Sequence, residues 1–441
     1  MKRTHACGAL TKAEAGHPAI LEGWVDAYRQ TGKIGFLLLR DRTGITQVFV
    51  NKELAAEYGH RFKPESVVRV EGKVNARPPN QIKAEMKTGE IELEAQKITI
   101  LSEAETPLPI DLGMGDTTTS LDKRLDYRFL DVRREKIKAV FTIRSRVFQE
   151  SVRFFSENGF INIQTPKLTA SGVESGAEEF KMDYFGKTAS LAQSPQIYKQ
   201  MFVVSGLEKV YTIEPIFRAE KSHTTRHLTE FTGLDFEMGF IESQEDVMHV
   251  IEKYLNQLLT RIKETCAEEL NTLGVTITVP THIPRLSMHE ARKILQTQGK
   301  TIPENDDLDA EGERMIGKYI QEKHGSDFVF MLDYPWEKRP FYHQRPEHDH
   351  RTTNSFDLVY KGVEIGTGAQ REHRLEILRA QAQEKGIDLE KMPFYMDIFR
   401  YGCPPHGGVG LGLDRIVKQM LNLENVKEAI LLPRDPERLT P

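Results

Sequence analysis

Residues 217–240 read FRAEKSHTTRHLTEFTGLDFEMGF. Two apolar-rich runs flank a cluster of opposite charge made by Arg218, Glu220, Lys221, His223, Arg226, His227 and Glu230. Both runs are strand-like, so the stretch predicts a two-stranded hairpin with its loop at Lys221–Thr225. Alternation along regular strands puts Arg218 and Glu220 on one face, and Phe231 and Asp235 on one face of the return strand. Folding alone gives no reason to gather so much charge there, and the hairpin is therefore a candidate binding platform.

Working outward, the pattern upstream is all β. The runs AILEGWVDAY, KIGFLLLRD, TGITQVFV, ESVVRVEGKV and EIELEAQKITIL lie within residues 18–102 and are separated by turn residues. Five short strands in so few residues predict a small barrel of the OB type. The Pro/Gly-punctuated ETPLPIDLGMGD (105–116) reads as a linker. We therefore place one domain at 1–103, a linker at 104–133 and a second domain at 134–441. The second opens with a helix over 134–160, with Ile137, Phe141, Val147, Phe148, Val152 and Phe155 at helical spacing and Asn158-Gly159 as its stop. FINIQTP then reads as a strand ending at Pro166, and residues 242–330 read as a mostly helical insertion. DFVFMLDYP, NSFDLVYKGVEIGTG and HGGVGLGLDRIVKQML supply further strands and a last helix. Clustered strands with surrounding helices, without strict βαβ alternation, predict an α+β fold with an antiparallel sheet.

Composition narrows the class. Of the 441 residues, 39% are hydrophobic and 28% charged, ordinary values for a globular protein. No run approaches the roughly 18 apolar residues of a membrane helix, and the N-terminus lacks the apolar segment of a secretory signal. Three scattered cysteines argue for a reducing compartment and against a disulfide framework or zinc cluster. A cytoplasmic location is the expectation. Net charge is −5, yet residues 1–100 hold 16 Lys and Arg against 12 Asp and Glu. A basic module on an acidic body suits a polyanion partner, although most such imbalances are plain solvated surface.

Several motifs each leave two readings open. The glycines of HGGVGLGLDRIVKQML (406–421) allow close approach to a flat ring or a phosphate, or else tight helix–sheet packing. Packing alone gives no role to Arg415 on the first helical turn. No GxxxxGK[ST] occurs, so any nucleotide is not held by a P-loop. Asp357 and Glu364 need a turn at Lys361-Gly362 to reach one site, where they suit Mg²⁺ beside a phosphate or an exposed hairpin. His348 and His350 alternate as metal ligands do, on a segment that also reads as a polar loop. Lys199 and Gln196 sit in the helix-like AQSPQIYKQMF, where Lys199 is either a snorkelling surface residue or an anchor for a ligand carboxylate.

The order of these motifs is more telling than any one of them. FINIQTPKL, then FRAE…RHLTEF…D.E, then GLGLDRI resemble motifs 1, 2 and 3 of the class II aminoacyl-tRNA synthetases. AQSPQIYKQ, GAQREHR, YGCPPHGGVGLGLDR and LLPRDPERLTP extend the resemblance, over essentially the whole chain, to the aspartyl-specific, archaeal and eukaryotic-type branch.

The resemblance implies an OB-type anticodon-binding domain joined to a class II catalytic domain, and ATP-dependent ligation of L-aspartate to tRNA through an aspartyl-adenylate. It implies Arg218 and Arg415 as the catalytic arginines, on the α- and γ-phosphates. ATP would meet Arg218, Ala219, Glu220, Arg226, His227, Leu228, Phe231, Glu364, Gly412, Leu413, Asp414 and Arg415. Mg²⁺ would be held by Glu364, Thr367 and Asp357. Aspartate would meet Glu174, Gln196, Ile197, Tyr198, Lys199, Arg218, Asp235, Thr367 and Arg371. Lys199 and Arg371 would grip its side-chain carboxylate and reject asparagine, whose amide leaves two cations uncompensated.

In the barrel, Phe36, Gln47 and Glu92 match positions that meet anticodon bases, and Pro166 matches a proline at a homodimer interface. One departure stands out. After Gly23-Trp24-Val25 the archaeal-type enzymes often carry Trp or His, and this chain has Asp26. Whether the aspartate tRNA alone is charged, or also the asparagine tRNA, is left open. An asparagine-specific enzyme and an inactive RNA-binding paralogue are the alternatives.

Overall fold

The structure is a computed structural model that describes residues 2–113, 118–170, 178–221 and 224–441. Two compact units divide it, Met1–Asp111 and Leu112–Pro441.

The first unit is a closed barrel of β1 (Pro18–Thr31), β2 (Ile34–Asp41), β3 (Gly44–Val50), β4 (Val67–Ala76) and β5 (Ile91–Ser102), in the order β1-β2-β3-β5-β4. Strict alternation builds it. Leu37 and Leu39, Val48 and Val50, Val68 and Val70, and Ile91 and Leu93 fill the interior, while residues between them, such as Phe36 and Glu92, face outward and are half-buried. A short helix α1 (Lys52–Tyr58), capped by the Asn51 side chain, joins β3 to β4.

The second unit is built on an eight-stranded sheet. Its strands are β6 (Ile161–Asn162), β10 (Lys209–Phe217), β11 (Glu230–Gly239), β12 (Arg285–Ser287), β13 (Phe328–Leu332), β14 (Ser355–Tyr360), β15 (Val363–Arg371) and β16 (His406–Gly412). The order is β12-β13-β14-β15-β16-β11-β10-β6, antiparallel from β13 to β10 with a parallel strand at each edge. A small sheet of β7 (Leu168–Ala170), β8 (Lys181–Tyr184) and β9 (Lys187–Leu191) stands apart from it.

One face of the large sheet is core. Leu234 and Phe236 from β11, Val409 and Leu411 from β16, and Phe356 and Leu358 from β14 point into it. Against them pack α4 (Glu135–Glu157), α6 (Gln244–Thr265), α7 (Ala267–Leu273) and α12 (Leu413–Met420). The capping box Ser243/Asp246 opens α6, and Val247, Ile251, Leu255, Leu258 and Ile262 recur on its buried face at helical spacing. The opposite face of the sheet carries Asp357, Thr367, Arg371, Asp235 and Glu237.

The architecture is the α+β barrel-plus-sheet expected, with local differences. The stretch 104–133 taken as a linker contains α2 (Leu121–Asp126) and α3 (Arg128–Asp131), where the buried Arg128 bonds Asp131 (2.6 Å) and the carbonyls of Glu428 and Ile430. Residues 242–330 are not a separate insertion, since α6 lies under the sheet and β12 and β13 belong to it. In α4 the core is met by Val140, Ile143, Val147, Phe154 and Phe155, while Phe148 is 42% exposed, so the buried face is turned from the one the apolar spacing predicts. FINIQTP forms only the two-residue edge strand β6.

Candidate active site

Above the polar face of the sheet lies a cavity of about 300 Å³. The quoted hairpin lines it with Ile216, Arg218, Glu220, Arg226, His227, Leu228, Phe231, Gly233 and Asp235. The strand pairing Ile216↔Phe231 and Phe217↔Glu230 closes the hairpin. β10 ends at Phe217, so Arg218 and Glu220 sit past the strand and not on its alternating face as expected. One more ladder bond, Arg218 N–H to the Thr229 carbonyl (3.0 Å), carries Arg218 to the cavity. The loop lies between Arg218 and Thr229, and its residue His223, like Glu174, lies outside the described residues. Phe231 and Asp235 do share a face, together with Gly233 and Glu237.

The glycines of β16 have a use the sequence did not disclose. Asp235 pairs with Gly410 and Glu237 with Gly408. A Cβ on Gly408 would run into the Phe236 carbonyl and the Glu237 carboxylate, and one on Gly410 would come within 2.9 Å of the Asp235 carboxylate. Bare backbone thus leaves room for two acidic side chains to lie across the sheet.

Those carboxylates have partners. Lys199, on α5 (Gln196–Phe202), is fully buried and donates to Asp235 Oδ2 (2.8 Å) and the Val409 carbonyl (3.1 Å), with Glu237 Oε2 at 3.5 Å. Arg371, at the end of β15, donates to Glu237 Oε1 (3.0 Å), Gln196 Oε1 (3.0 Å), the Gly408 carbonyl (3.2 Å) and His343 Nε2 (2.8 Å). Burial pushes the Glu237 carboxyl up, but Arg371 and Lys199 outweigh it and hold it below the ordinary carboxylate range. Burial, reinforced by Arg371, keeps His343 neutral by pushing its pKa far down, so its Nε2 accepts from Arg371. Lys199 and Arg371 are therefore not two bare cations awaiting a substrate carboxylate. Asp235 and Glu237 already balance them, so two uncompensated cations alone do not account for rejection of asparagine.

At the other end, among the described residues, Arg218 and Arg415 meet no carboxylate within hydrogen-bond distance. Arg218 donates a long bond to the Gln193 carbonyl (3.4 Å) and stands 5.5 Å over the Phe231 ring. Arg415 donates to the carbonyls of Arg226 (3.2 Å) and Glu364 (2.9 Å). Arg226 makes a two-pronged bond to Glu313 (2.7 and 2.8 Å). Burial, then Arg415, lowers the His227 pKa. Gly412 and Leu228 line the cavity, whereas Leu413 belongs to the core and the Ala219 N–H donates to the Glu178 carbonyl (2.9 Å). Asp414 is buried, accepting from Arg144 Nη2 (2.7 Å) and the Thr232 N–H (2.7 Å), so its carboxylate fastens α12 to β11 and α4. Ile197 packs in a cluster with Trp336 and Tyr395, and Tyr198 follows it on α5.

The turn predicted at Lys361-Gly362 is present, both residues having positive φ (47° and 72°), and it brings Asp357 and Glu364 together. Thr367 Oγ1 donates to Asp357 Oδ1 (2.7 Å) and lies 3.5 Å from Glu364 Oε1. Asp357 Oδ2 accepts from Arg339 (2.8 Å), whose guanidinium stacks 3.7 Å from the Tyr334 ring. Glu364 is the more open carboxylate, its side chain 33% exposed. Among the described residues no group of three His, Cys, Asp or Glu could hold a metal unaided. One open carboxylate with a second behind it is the donor set of Mg²⁺ that takes its other ligands from a phosphate and water.

In the barrel unit, Phe36 and Phe49 form an edge-on pair at 6.0 Å on the outer face. Beside them Gln47 bonds Glu92 (3.1 Å) and Lys83 (2.7 Å). Asp26 sits where the β1–β2 register shifts between Val25 and Ala27, and bonds Arg40 Nη1 (2.8 Å).

Glu237, His343, Arg339 and Glu313 were not singled out from the sequence. Glu237 was within reach, two residues after Asp235 on one strand face. The other three meet the site only through tertiary packing, and no local pattern marks them.

The chain matches the family described as tRNA synthetases class II (D, K and N) over residues 120–436. It also matches an OB-fold nucleic acid binding domain over residues 19–101. It belongs to the class II tRNA synthetases of that group. Over 446 aligned residues it is 46% identical to a protein of Thermococcus kodakarensis named aspartate--tRNA(Asp) ligase, covering 100% of both chains. It is 44% identical over 426 residues to the aspartate--tRNA(Asp/Asn) ligase of Aeropyrum pernix, covering 95% of this chain and 94% of that one. The solved asparaginyl-tRNA synthetase of Pyrococcus horikoshii complexed with asparaginyl-adenylate superposes over 100% of both chains, with TM-score 0.91 and 32% identity. No described helix is long and apolar enough to cross a membrane.

Proposed function

We propose that this chain is an aspartate–tRNA ligase, activating L-aspartate with ATP as an aspartyl-adenylate and passing the aspartyl group to tRNA. The observation that carries the choice of amino acid is the buried Lys199–Asp235–Glu237–Arg371 set beneath a cavity whose other end holds Arg218 and Arg415. The names borne by the relatives point the same way.

The substrate ammonium takes Asp235, with Gln196 beside the set. Its side-chain carboxylate competes with Asp235 and Glu237 for the donors of Lys199 and Arg371. The burial of all four side chains raises the cost of any mismatch there. The α-carboxylate is already ionised at neutral pH, so its attack on the α-phosphate needs no general base. What the protein supplies is placement and charge. Arg218 bridges the α-carboxylate and α-phosphate, Phe231 stacks on adenine, and Glu220 accepts from its amino group. Arg415, with His227 and Arg226, faces the distal phosphates. Mg²⁺ entering with ATP would be held by Glu364, with Thr367 and Asp357 behind it, and would add positive charge to the triphosphate. The outer barrel face around Phe36, Gln47 and Glu92 receives anticodon bases. The enzyme works as a cytoplasmic homodimer with Pro166 at the interface.

Charging purified aspartate and asparagine tRNAs side by side tests this. Aspartate should be attached to the aspartate tRNA, and its attachment to the asparagine tRNA as well would define a relaxed enzyme. Attachment of asparagine, or of neither amino acid, refutes the proposal.

A further inference from the structure

Two residues tie the same pair of cavity-lining positions together, and only one of them has a role so far. Arg226 comes from the loop between β10 and β11, and Glu364 from the start of β15. Arg415 links them from one side by donating to both backbone carbonyls, at 3.2 and 2.9 Å. Glu313 links them from the other. Its carboxylate accepts from Arg226 Nη1 through both oxygens (2.7 and 2.8 Å) and from the Glu364 N–H (2.9 Å). Glu313 is only 5% exposed and lies on helix α9 (Ala310–His324), outside the three sequence motifs.

The helix is held against the turn without freedom to slide. A Cβ on Gly317 would come within 2.5 Å of the Gly362 nitrogen, and one on Gly362 within 2.8 Å of the Arg314 Cα. Gly317 lies one helical turn beyond Glu313, on the same side. Backbone contact at Gly362 therefore sets Glu313 opposite Glu364, two residues further along.

We infer that Glu313 is a positioning residue for the nucleotide. It fixes the Arg226 guanidinium and the Glu364 backbone as one unit so that the phosphate-facing loop and the Mg²⁺ carboxylate arrive in register. A carboxylate serving only the fold would have no reason to collect its three bonds from two residues that line the cavity. The inference rests on the reading of the cavity as an ATP site.

The test is aspartate-dependent ATP–pyrophosphate exchange on the full chain, with Glu313→Gln, Glu313→Ala and a control, Glu322→Ala, on the exposed side of the same helix. Loss of a buried charge-assisted bond to each partner should raise KM for ATP about tenfold. KM for aspartate and the melting temperature of Glu313→Gln should stay near wild type, and the control should be unchanged. Removing Arg226 as well, in Glu313→Gln/Arg226→Ala, should cost little more than removing Arg226 alone, because the two act together. An unchanged KM for ATP in both Glu313 variants overturns the inference. So does a parallel rise in both KM values with a lowered melting temperature, which marks general loosening. Absence of aspartate-dependent exchange in the wild type instead removes the functional reading, and this inference with it.

Discussion

At the end of the cavity beside α5, Lys199 and Arg371 are buried and each is paired with a carboxylate at 2.8–3.0 Å. At the opposite end, Arg218 and Arg415 lean on backbone carbonyls and an aromatic face, with the Glu364 carboxylate 3.8 Å from Arg415. On the proposed reading, the difference teaches how one pocket would handle two kinds of anion. A small carboxylate must be told from an amide, which calls for a dry, fully bonded set where a mismatch is costly. A triphosphate brings several negative charges, and cations that meet mainly backbone carbonyls among the described residues suit it. Stability and activity should therefore separate along the cavity.

The largest effect is expected from Lys199→Met. It leaves Asp235 and Glu237 with one buried cation fewer, so aspartate-dependent exchange should vanish. Denaturant unfolding should show a loss of roughly 3–5 kcal/mol, the usual result of breaking a buried pair from one side. Exchange close to wild type contradicts the role assigned to Lys199. Arg415→Ala should lower exchange roughly 10²- to 10³-fold, a typical loss for one group that stabilises developing charge. Its unfolding midpoint should shift less than that of Lys199→Met, because the Arg415 side chain keeps 21% exposure and its removal strands no buried carboxylate. If the two variants were equally destabilised, the contrast between the ends would be lost.

Much of this was legible beforehand. The barrel strands follow from alternation and turn residues, and the Lys361-Gly362 turn from the need to join Asp357 to Glu364. The glycines of β16 were legible as a demand for close approach but not as to what approaches, because Asp235 and Glu237 arrive from β11, far earlier in the chain. The balance of charge around Lys199 was hidden for the same reason. Sequence neighbours made it look like a lone lysine among apolar residues, and only the sheet supplies its partners. Edge strands and helix faces failed locally, as with β6 and Phe148, where packing and not periodicity decided.

The barrel offers a third environment, shallow and half-exposed. Phe36→Ala should weaken tRNA binding by roughly 1–3 kcal/mol, the worth of one stacked base, while pyrophosphate exchange without tRNA stays unchanged. A fall in exchange would mean the barrel acts on the amino-acid step.

The smallest effect concerns pH. The folded-state pKa values of His343 and His406 are lowered from the ordinary 6.5, first by burial. The unfolded chain therefore binds protons there that the folded chain does not, and stability should decline as pH falls below 6.5. Glu237 acts in the same direction at lower pH. Its lowered pKa contributes stability above the ordinary 4.5 that is lost as pH falls through the folded value. Thermal melting across this range should show the decline, and His343→Gln should flatten its upper part.

The central claim is that the paired set around Lys199 selects aspartate. Pyrophosphate exchange by the purified chain, measured with aspartate and with asparagine at equal concentration, tests it most directly. The account predicts exchange that depends on aspartate and is near background with asparagine. Exchange driven by asparagine as well as or better than by aspartate would contradict it.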